Sequence, residues 1–129
     1  MTRPDLRSNL RSSLRSKLRP GSGGAGRNRG GLGQIIEIES GVGEPFELLA
    51  AFDRIDFPAR GRAGGEPGAA GAVATKAGRK LKGKGTQMVD AGERLLILTP
   101  GGGGWGAPEA RDARLTAADA REERVPKSA

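Results

Sequence analysis

The segment Thr99-Pro100-Gly101-Gly102-Gly103-Gly104-Trp105-Gly106 sets four consecutive glycines directly after the apolar run Leu95-Leu96-Ile97-Leu98, with the chain's single tryptophan inside the block. Four glycines in a row normally mark a flexible linker. A linker needs neither a buried-type strand at its entrance nor a large aromatic within it. Glycine is required where backbone passes close to other atoms or takes φ > 0. The block therefore reads as a shaped backbone surface at the end of a strand.

Composition limits what can surround it. A chain of 129 residues is one domain at most. Gly and Pro together supply 31 residues, and Phe46, Phe52, Phe57 and Trp105 are the only aromatics. Aromatics bury the most area per side chain, and small domains are marginal from surface-to-volume scaling alone, so the expected core is thin. No Cys is present for a disulfide or thiolate site, and no His for a general base or zinc ligand. No stretch is apolar enough for a secretory or membrane-spanning segment, which makes the cytoplasm the expected compartment. The net charge of +7 is concentrated at the start: residues 1–33 carry eight Arg or Lys against Asp5, and the rest is balanced. The basicity thus belongs to the N-terminal segment.

Residues 6–19 repeat with a period of four: Leu6-Arg7-Ser8-Asn9, Leu10-Arg11-Ser12-Ser13, Leu14-Arg15-Ser16-Lys17, Leu18-Arg19. In a helix each Leu would drift about 40° from the last, giving a Leu stripe beside the Arg7/Arg11/Arg15/Arg19 row. Such a helix suits an anionic membrane or a nucleic acid. Serine-rich composition and Arg–Arg repulsion favour a disordered basic segment instead. Pro20-Gly21 ends it. Beyond a second glycine block at 21–33, alternation of Ile35, Ile36 and Ile38 with Glu37 and Glu39 predicts a strand at 34–39. Phe46–Phe52 is a second strand, and 57–85 is a long irregular stretch. Thr86–Val89 and Arg94–Thr99 flank Asp90-Ala91-Gly92 as a hairpin. Ala107–Arg124 has helical composition, with Pro108 suited to its first turn.

Three stretches look like phosphate sites. Gly21–Gly26 and Gly101–Gly106 match G-x-G-x-x-G, but the first follows no strand and the second lacks another βα unit. Gly78-Arg79-Lys80-Leu81-Lys82-Gly83-Lys84 resembles the start of a phosphate loop, yet Gly85 stands where a hydroxyl should hold Mg²⁺. A solvated basic loop is the simpler account. The pairs Asp53/Asp56 and Glu122/Glu123 have no framework to split their acidities. Asp53 beside Arg54 suggests a surface or turn ion pair. No catalytic centre assembles.

Taken in order, the glycine blocks resemble the C-terminal region of the hydantoinase B/oxoprolinase family, as in N-methylhydantoinase B-type subunits. Leu18-Arg19-Pro20-Gly21-Ser22-Gly23-Gly24-Ala25-Gly26-Arg27-Asn28-Arg29-Gly30-Gly31-Leu32-Gly33 is similar to that family's L-R-x-x-S-G-G-A-G-x-x-R-G-G-x-G. Phe57-Pro58, Gly61, Gly64-Gly65, Pro67-Gly68 and Gly71 resemble its F-P…G…G-G-x-P-G…G stretch. Lys82-Gly83-Lys84-Gly85-Thr86 and Gly92-Glu93-Arg94-Leu95 resemble its hairpin. Thr99–Gly106 resembles T-P-G-G-G-G-[YW]-G, and Pro108, Arg111-Asp112 and Ala120-Arg121-Glu122 its last helix. Ala107 departs from the usual Asp.

The resemblance implies a setting in ATP-dependent enzymes that open cyclic amides such as hydantoins and 5-oxoproline. The nucleotide would sit on a hydantoinase A-type partner, and the divalent metal on upstream B-type residues that this chain lacks. No cofactor, metal or catalytic residue is therefore assigned here. The expected architecture is mainly β, a small antiparallel sheet or roll with long Gly-rich loops, plus a C-terminal α-helix and a disordered basic N-terminus. The expected organisation is the repeat at 1–17, a partial family domain at 18–125 and a tail at 126–129. The expected role is a part of a B-type subunit, inactive alone, that packs against the remainder of that subunit or against the A-type partner. The candidate interface or cavity-lining residues are Gly23, Gly24, Gly26, Arg29, Gly30, Gly31, Gly101, Gly102, Gly103, Gly104, Trp105 and Gly106. The alternatives are binding of nucleic acid or an anionic membrane through the Arg-rich N-terminus, or a non-functional remnant.

Overall fold

The computed structural model describes residues 13–126. Six strands, β1 (Ser13–Leu18), β2 (Gln34–Glu39), β3 (Phe46–Ala51), β4 (Ala72–Thr75), β5 (Lys84–Val89) and β6 (Arg94–Leu98), precede a 3₁₀ turn (Pro108–Ala110) and helix α1 (Ala113–Arg121). They form an antiparallel four-stranded sheet, β1-β2-β6-β4, and a two-stranded sheet, β3-β5. The mainly β architecture with a terminal helix is the one the sequence predicts.

Side-chain alternation builds the core. Leu95 and Ile97 on β6 and Val73 on β4 are buried with Val89 at the end of β5. Ile36 and Ile38 of β2, Phe46 and Leu48 of β3, and Phe52, Ile55 and Leu81 pack around them. Such period-two burial is what strands with one covered face produce.

Four local expectations change. Ser13–Leu18, the end of the Leu-Arg-Ser repeat, is neither helical nor disordered but pairs along β2 in the register Ser13↔Glu39 to Leu18↔Gln34. The earlier repeat units lie outside the described residues. Residues 84–89 and 94–98 do not form a hairpin with each other. The turn exists, with Glu93 N donating to Asp90 O at 3.0 Å and Gly92 at φ 81°. Both edges of β6, however, are taken by β2 and β4, so β5 crosses to β3. The stretch 57–85 is also not one loop: it contains β4, and Thr75 N donates to Arg79 O as the chain turns back at Gly78, φ 104°. Helix α1 is shorter than the composition suggests, because Asp112 caps it, accepting from Arg114 N at 2.8 Å.

The turn before β6 is clipped by charge. Glu93 Oε1 accepts from Arg79 Nη2 at 2.7 Å and from Asp90 N at 3.0 Å. The Arg79 hydrogen bond first, and then the Asp90 amide, pull the Glu93 carboxyl down to about 2. A carboxylate with a lowered folded-state pKa stabilises the fold above its unfolded value and loses that contribution as pH falls through the folded one. Glu93→Gln is therefore expected to melt below wild type at neutral pH, with the gap closing as pH drops from 4.5 to about 2. A gap that does not change with pH would contradict this clip.

Candidate functional site: a glycine bundle clasped by an arginine cluster

Strand β6 runs out into Thr99–Gly106, and here the backbone itself becomes the packing surface. A Cβ built on Gly101 would lie 1.6 Å from Ser22 O, one on Gly102 3.1 Å from Gly31 N, one on Gly103 2.1 Å from Arg60 O, and one on Gly104 2.1 Å from Ala25 O. Directions thus return to the first neighbouring segment after three residues. Three residues per turn is the period of the extended polyproline II helix, and in bundles of such helices only glycine fits the crowded interior.

The neighbours obey the same step. Cβ atoms on Gly65 and Gly68 would strike Gly104 O and Gly101 O, while those on Gly30 and Gly33 would strike Gly102 O and Thr99 O. Both series run antiparallel to 99–104, whereas the 22–25 segment runs parallel to it. Hydrogen bonds lace the bundle: Gly101 N donates to Ala69 O (3.1 Å), Gly104 N to Glu66 O (2.9 Å), Glu66 N to Ala25 O (2.8 Å) and Ala69 N to Ser22 O (2.9 Å). The irregular stretch after Phe57 is thereby accounted for, since residues 59–69 supply two walls of the bundle.

This bonding decides the phosphate question. In 101–106, Gly102 N donates to Gly31 O, Trp105 N to Asn28 O and Gly106 N to Arg62 O, in addition to the two bonds above. A phosphate cradle needs such amides free and convergent. Gly21 N and Gly24 N are likewise engaged, with Arg124 O and Gly102 O. In the basic loop, Gly78 N donates to Thr75 O, Leu81 N to Val73 O and Lys82 N to Gln87 Oε1.

Beside the bundle, α1 contributes Asp119, whose side chain is 1% exposed and receives three guanidinium groups. Arg29 Nε donates to Oδ2 at 2.9 Å; Arg111 donates from Nε to Oδ2 at 2.9 Å and from Nη2 to Oδ1 at 3.0 Å; Arg124 lies 3.4 Å from Oδ1. Burial pushes the Asp119 carboxyl up, but hydrogen bonds from Arg111 and then Arg29 override it and hold it below the usual carboxylate range. The arginines also grip glycine-block carbonyls: Arg29 Nη1 donates to Gly23 O (3.2 Å) and Arg111 Nη1 to Arg27 O (3.1 Å). The cluster staples the helix onto the bundle. A cleft of about 430 Å³ opens beside it, between Leu18, Leu32, Asn28, Gly30–Gly31 and the arginines.

The structure gathers the twelve sequence-derived residues into this one region. Gly23, Gly24, Gly26, Gly30, Gly101, Gly103, Gly104 and Gly106 each sit where a Cβ would fall within 3.0 Å of another atom, and Gly102 is only slightly looser. Gly31 differs, with nothing within 4 Å of its Cβ position, and faces the cleft. Arg29 belongs to the ion cluster. Trp105 is held by its backbone to Asn28 and Arg62, while the residue stays 50% exposed.

Sequence reasoning did not single out Asp119, Arg111, Arg124 or Ser22 as a set. A lone acid inside Ala117-Ala118-Asp119-Ala120 was the available signal. Buried Ser22 bridges the block, its Oγ donating to Arg19 O at 2.6 Å and accepting from Gly33 N at 2.8 Å. Arg19, the last arginine of the Arg7/Arg11/Arg15/Arg19 row, is a structural donor, binding Ala70 O (2.8 Å) and Thr99 O (3.1 Å). Arg7 and Arg11 lie outside the described residues. Asp53 pairs with Lys84 at 2.8 Å rather than with its neighbour Arg54. Among the described residues no group of three His, Cys, Asp or Glu is placed to hold a metal ion. Among them, too, no helix is long and apolar enough to cross a membrane.

Comparison with known proteins places these features in a family context. The sequence model of the hydantoinase B/oxoprolinase family matches residues 12–108. An uncharacterised protein of Methanocaldococcus jannaschii is 39% identical over 110 residues, covering 83% of this chain and 19% of that protein. The 5-oxoprolinase 1 of Arabidopsis thaliana is 44% identical over 93 residues, covering 69% of this chain and 7% of the relative. The 5-oxoprolinase PfmaA of Pestalotiopsis fici is 38% identical over 100 residues, covering 70% and 8%. The chain thus spans less than a fifth of the length of these relatives.

Proposed function

Because the chain belongs to the hydantoinase B/oxoprolinase family, we propose that it serves as the glycine-bundle packing part of an ATP-dependent cyclic-amide hydrolase of the hydantoinase/5-oxoprolinase type, and turns over no substrate alone. The observation that carries this reading is the bundle itself. Its successive backbones meet with no side chain between them, and the amides of Gly101, Gly102, Gly104, Trp105 and Gly106 donate to internal carbonyls. A wall of that kind is rigid and finely shaped, and glycine backbone by itself offers no acid, base or nucleophile.

The family implies ATP and a divalent metal in the complete enzyme. The residues described here fit neither group. Among the described residues no three candidate ligands converge, and in the two glycine blocks the amides of Gly21, Gly24, Gly101, Gly102, Gly104 and Gly106 are already donated to carbonyls. The arginines beside the bundle are committed to Asp119 and to backbone carbonyls. These side chains position an element rather than move a proton.

The half-exposed Trp105, with the cleft at Gly31, supports packing against further polypeptide, either the remainder of a B-type subunit or an A-type partner. Co-expression of this chain with an A-type subunit and a B-type polypeptide covering the rest of the family sequence tests it. A stable three-component complex is expected, with cyclic-amide hydrolysis only when all parts are present. Hydrolysis by the chain alone, or no complex under any condition, would contradict the reading.

A further inference from the structure

We propose that the outer edge of β1 is a docking edge for an extended, acid-bearing strand of a partner polypeptide, and that it adds that strand to the four-stranded sheet. The proposal rests on the reading that the chain works within a larger assembly. Among the described residues, β1 is the terminal strand of its sheet, with β2 on one side only.

Which backbone groups face outward follows from the ladder. Thr99 N donates to Gln34 O, so Gln34, Ile36 and Ile38 aim their backbone groups at β6. By the alternation of an antiparallel strand, Ile35, Glu37 and Glu39 then face β1, opposite Lys17, Arg15 and Ser13. Arg19 N donating to Gly33 O continues the same pattern. Leu14, Ser16 and Leu18 therefore turn their N–H and C=O groups to the outer edge, where an incoming strand would pair.

Side chains define the occupant. Leu14 stands opposite Ile38 and Ser16 opposite Ile36, so β1 extends the core-side face of the sheet. Leu14 and Leu18 on that face are 64% and 59% exposed. Arg15 and Lys17 occupy the other face, exposed and with no ion pair among the described residues. A strand laid against this edge would satisfy both faces by alternating apolar residues, beside Leu14 and Leu18, with acids beside Arg15 and Lys17. Strand β2 has that pattern already on the inner side: Ile38 and Ile36 on one face, Glu37 opposite Arg15 on the other. Basic side chains on an edge strand also discourage pairing with a second copy, because like charges would meet. Most of the polypeptide present in the relatives lies outside this chain and is the source of such a strand.

The test combines a peptide and a backbone variant in the full chain. Ser16→Pro removes one outward N–H, a place where an edge strand tolerates proline. Circular dichroism should show its melt unchanged from wild type. A fluorescein-labelled peptide of alternating Ile and Glu should bind wild type at least about tenfold more tightly than its Ile–Lys counterpart. Binding should weaken by a similar factor in Ser16→Pro and in Arg15→Glu/Lys17→Glu. Equal binding of both peptides, or full affinity in Ser16→Pro, overturns the proposal. So does self-association of wild type that Ser16→Pro abolishes, which would make a second copy the occupant. In the co-expression assay, a wild-type complex that Ser16→Pro leaves intact sinks the docking edge while sparing the proposed function. Failure of wild type itself to form a complex sinks the function reading, and the peptide arm still judges the edge.

Discussion

Gly101→Ala is expected to destroy or severely weaken the cooperative melt of this chain, while Gly31→Ala melts like wild type. The added methyl at position 101 would lie 1.6 Å from Ser22 O and 2.3 Å from Ser22 C, far inside van der Waals contact, and the obstacle is backbone. Relief requires the 22–23 segment to withdraw, which breaks the Ala69 N to Ser22 O bond and pulls Gly24 N from Gly102 O. Ordinary overpacking costs about 1–3 kcal/mol. Here a rigid neighbour and two hydrogen bonds are lost together, so the expected cost is above ~3 kcal/mol. Against a total stability on the order of 5–15 kcal/mol, a fall of more than about 10 °C in Tm follows. At Gly31 a methyl meets open space, so the change stays within about 0.5 kcal/mol. Thermal melts of both variants beside wild type read the contrast directly. Equal behaviour of the two would show that the bundle does not pack as described.

Asp119→Asn is the second large effect. It leaves Arg29 and Arg111, with side chains 18% and 9% exposed, facing a neutral amide in a buried site. Removing one partner of a buried ion pair typically costs about 3–5 kcal/mol, because the remaining charge stays desolvated. Truncating Arg124, which is 39% exposed and reaches Asp119 only at 3.4 Å, should cost far less. A double-mutant cycle over Asp119 and Arg111 measures the coupling. The double variant is expected to lose far less stability than the sum of the two single variants, and additivity would contradict the staple.

Strands with one covered face were legible in the sequence because alternation is a local signal. Ile36 and Ile38 announced β2, and Leu95 and Ile97 announced β6, each within one or two residues of the observed bounds. Partner choice was not local. Asp90-Ala91-Gly92 makes a turn, but whether β5 joins β6 depends on both edges of β6 being taken. Strand β1 was hidden for a related reason. A period of four places every Leu on one face of a strand as readily as on one stripe of a helix, and only β2 decides between them. The glycine blocks stood out in the sequence as shaped backbone, yet which segments pack together was not legible, since a hydrogen side chain gives no pattern to read. Asp119 stayed hidden because its three partners come from sequence positions up to 90 residues away.

The central claim is that consecutive glycines at 101–104 form a fixed, hydrogen-bonded interior rather than a linker. Residue-resolved amide hydrogen exchange on the intact chain tests it most directly. The account predicts that Gly101, Gly102 and Gly104, whose amides donate to Ala69, Gly31 and Glu66, exchange as slowly as the β2–β6 ladder. That corresponds to protection of at least about a thousandfold over the unfolded chain. Exchange of those glycines within about tenfold of unfolded rates, with the ladder still protected, would contradict the claim.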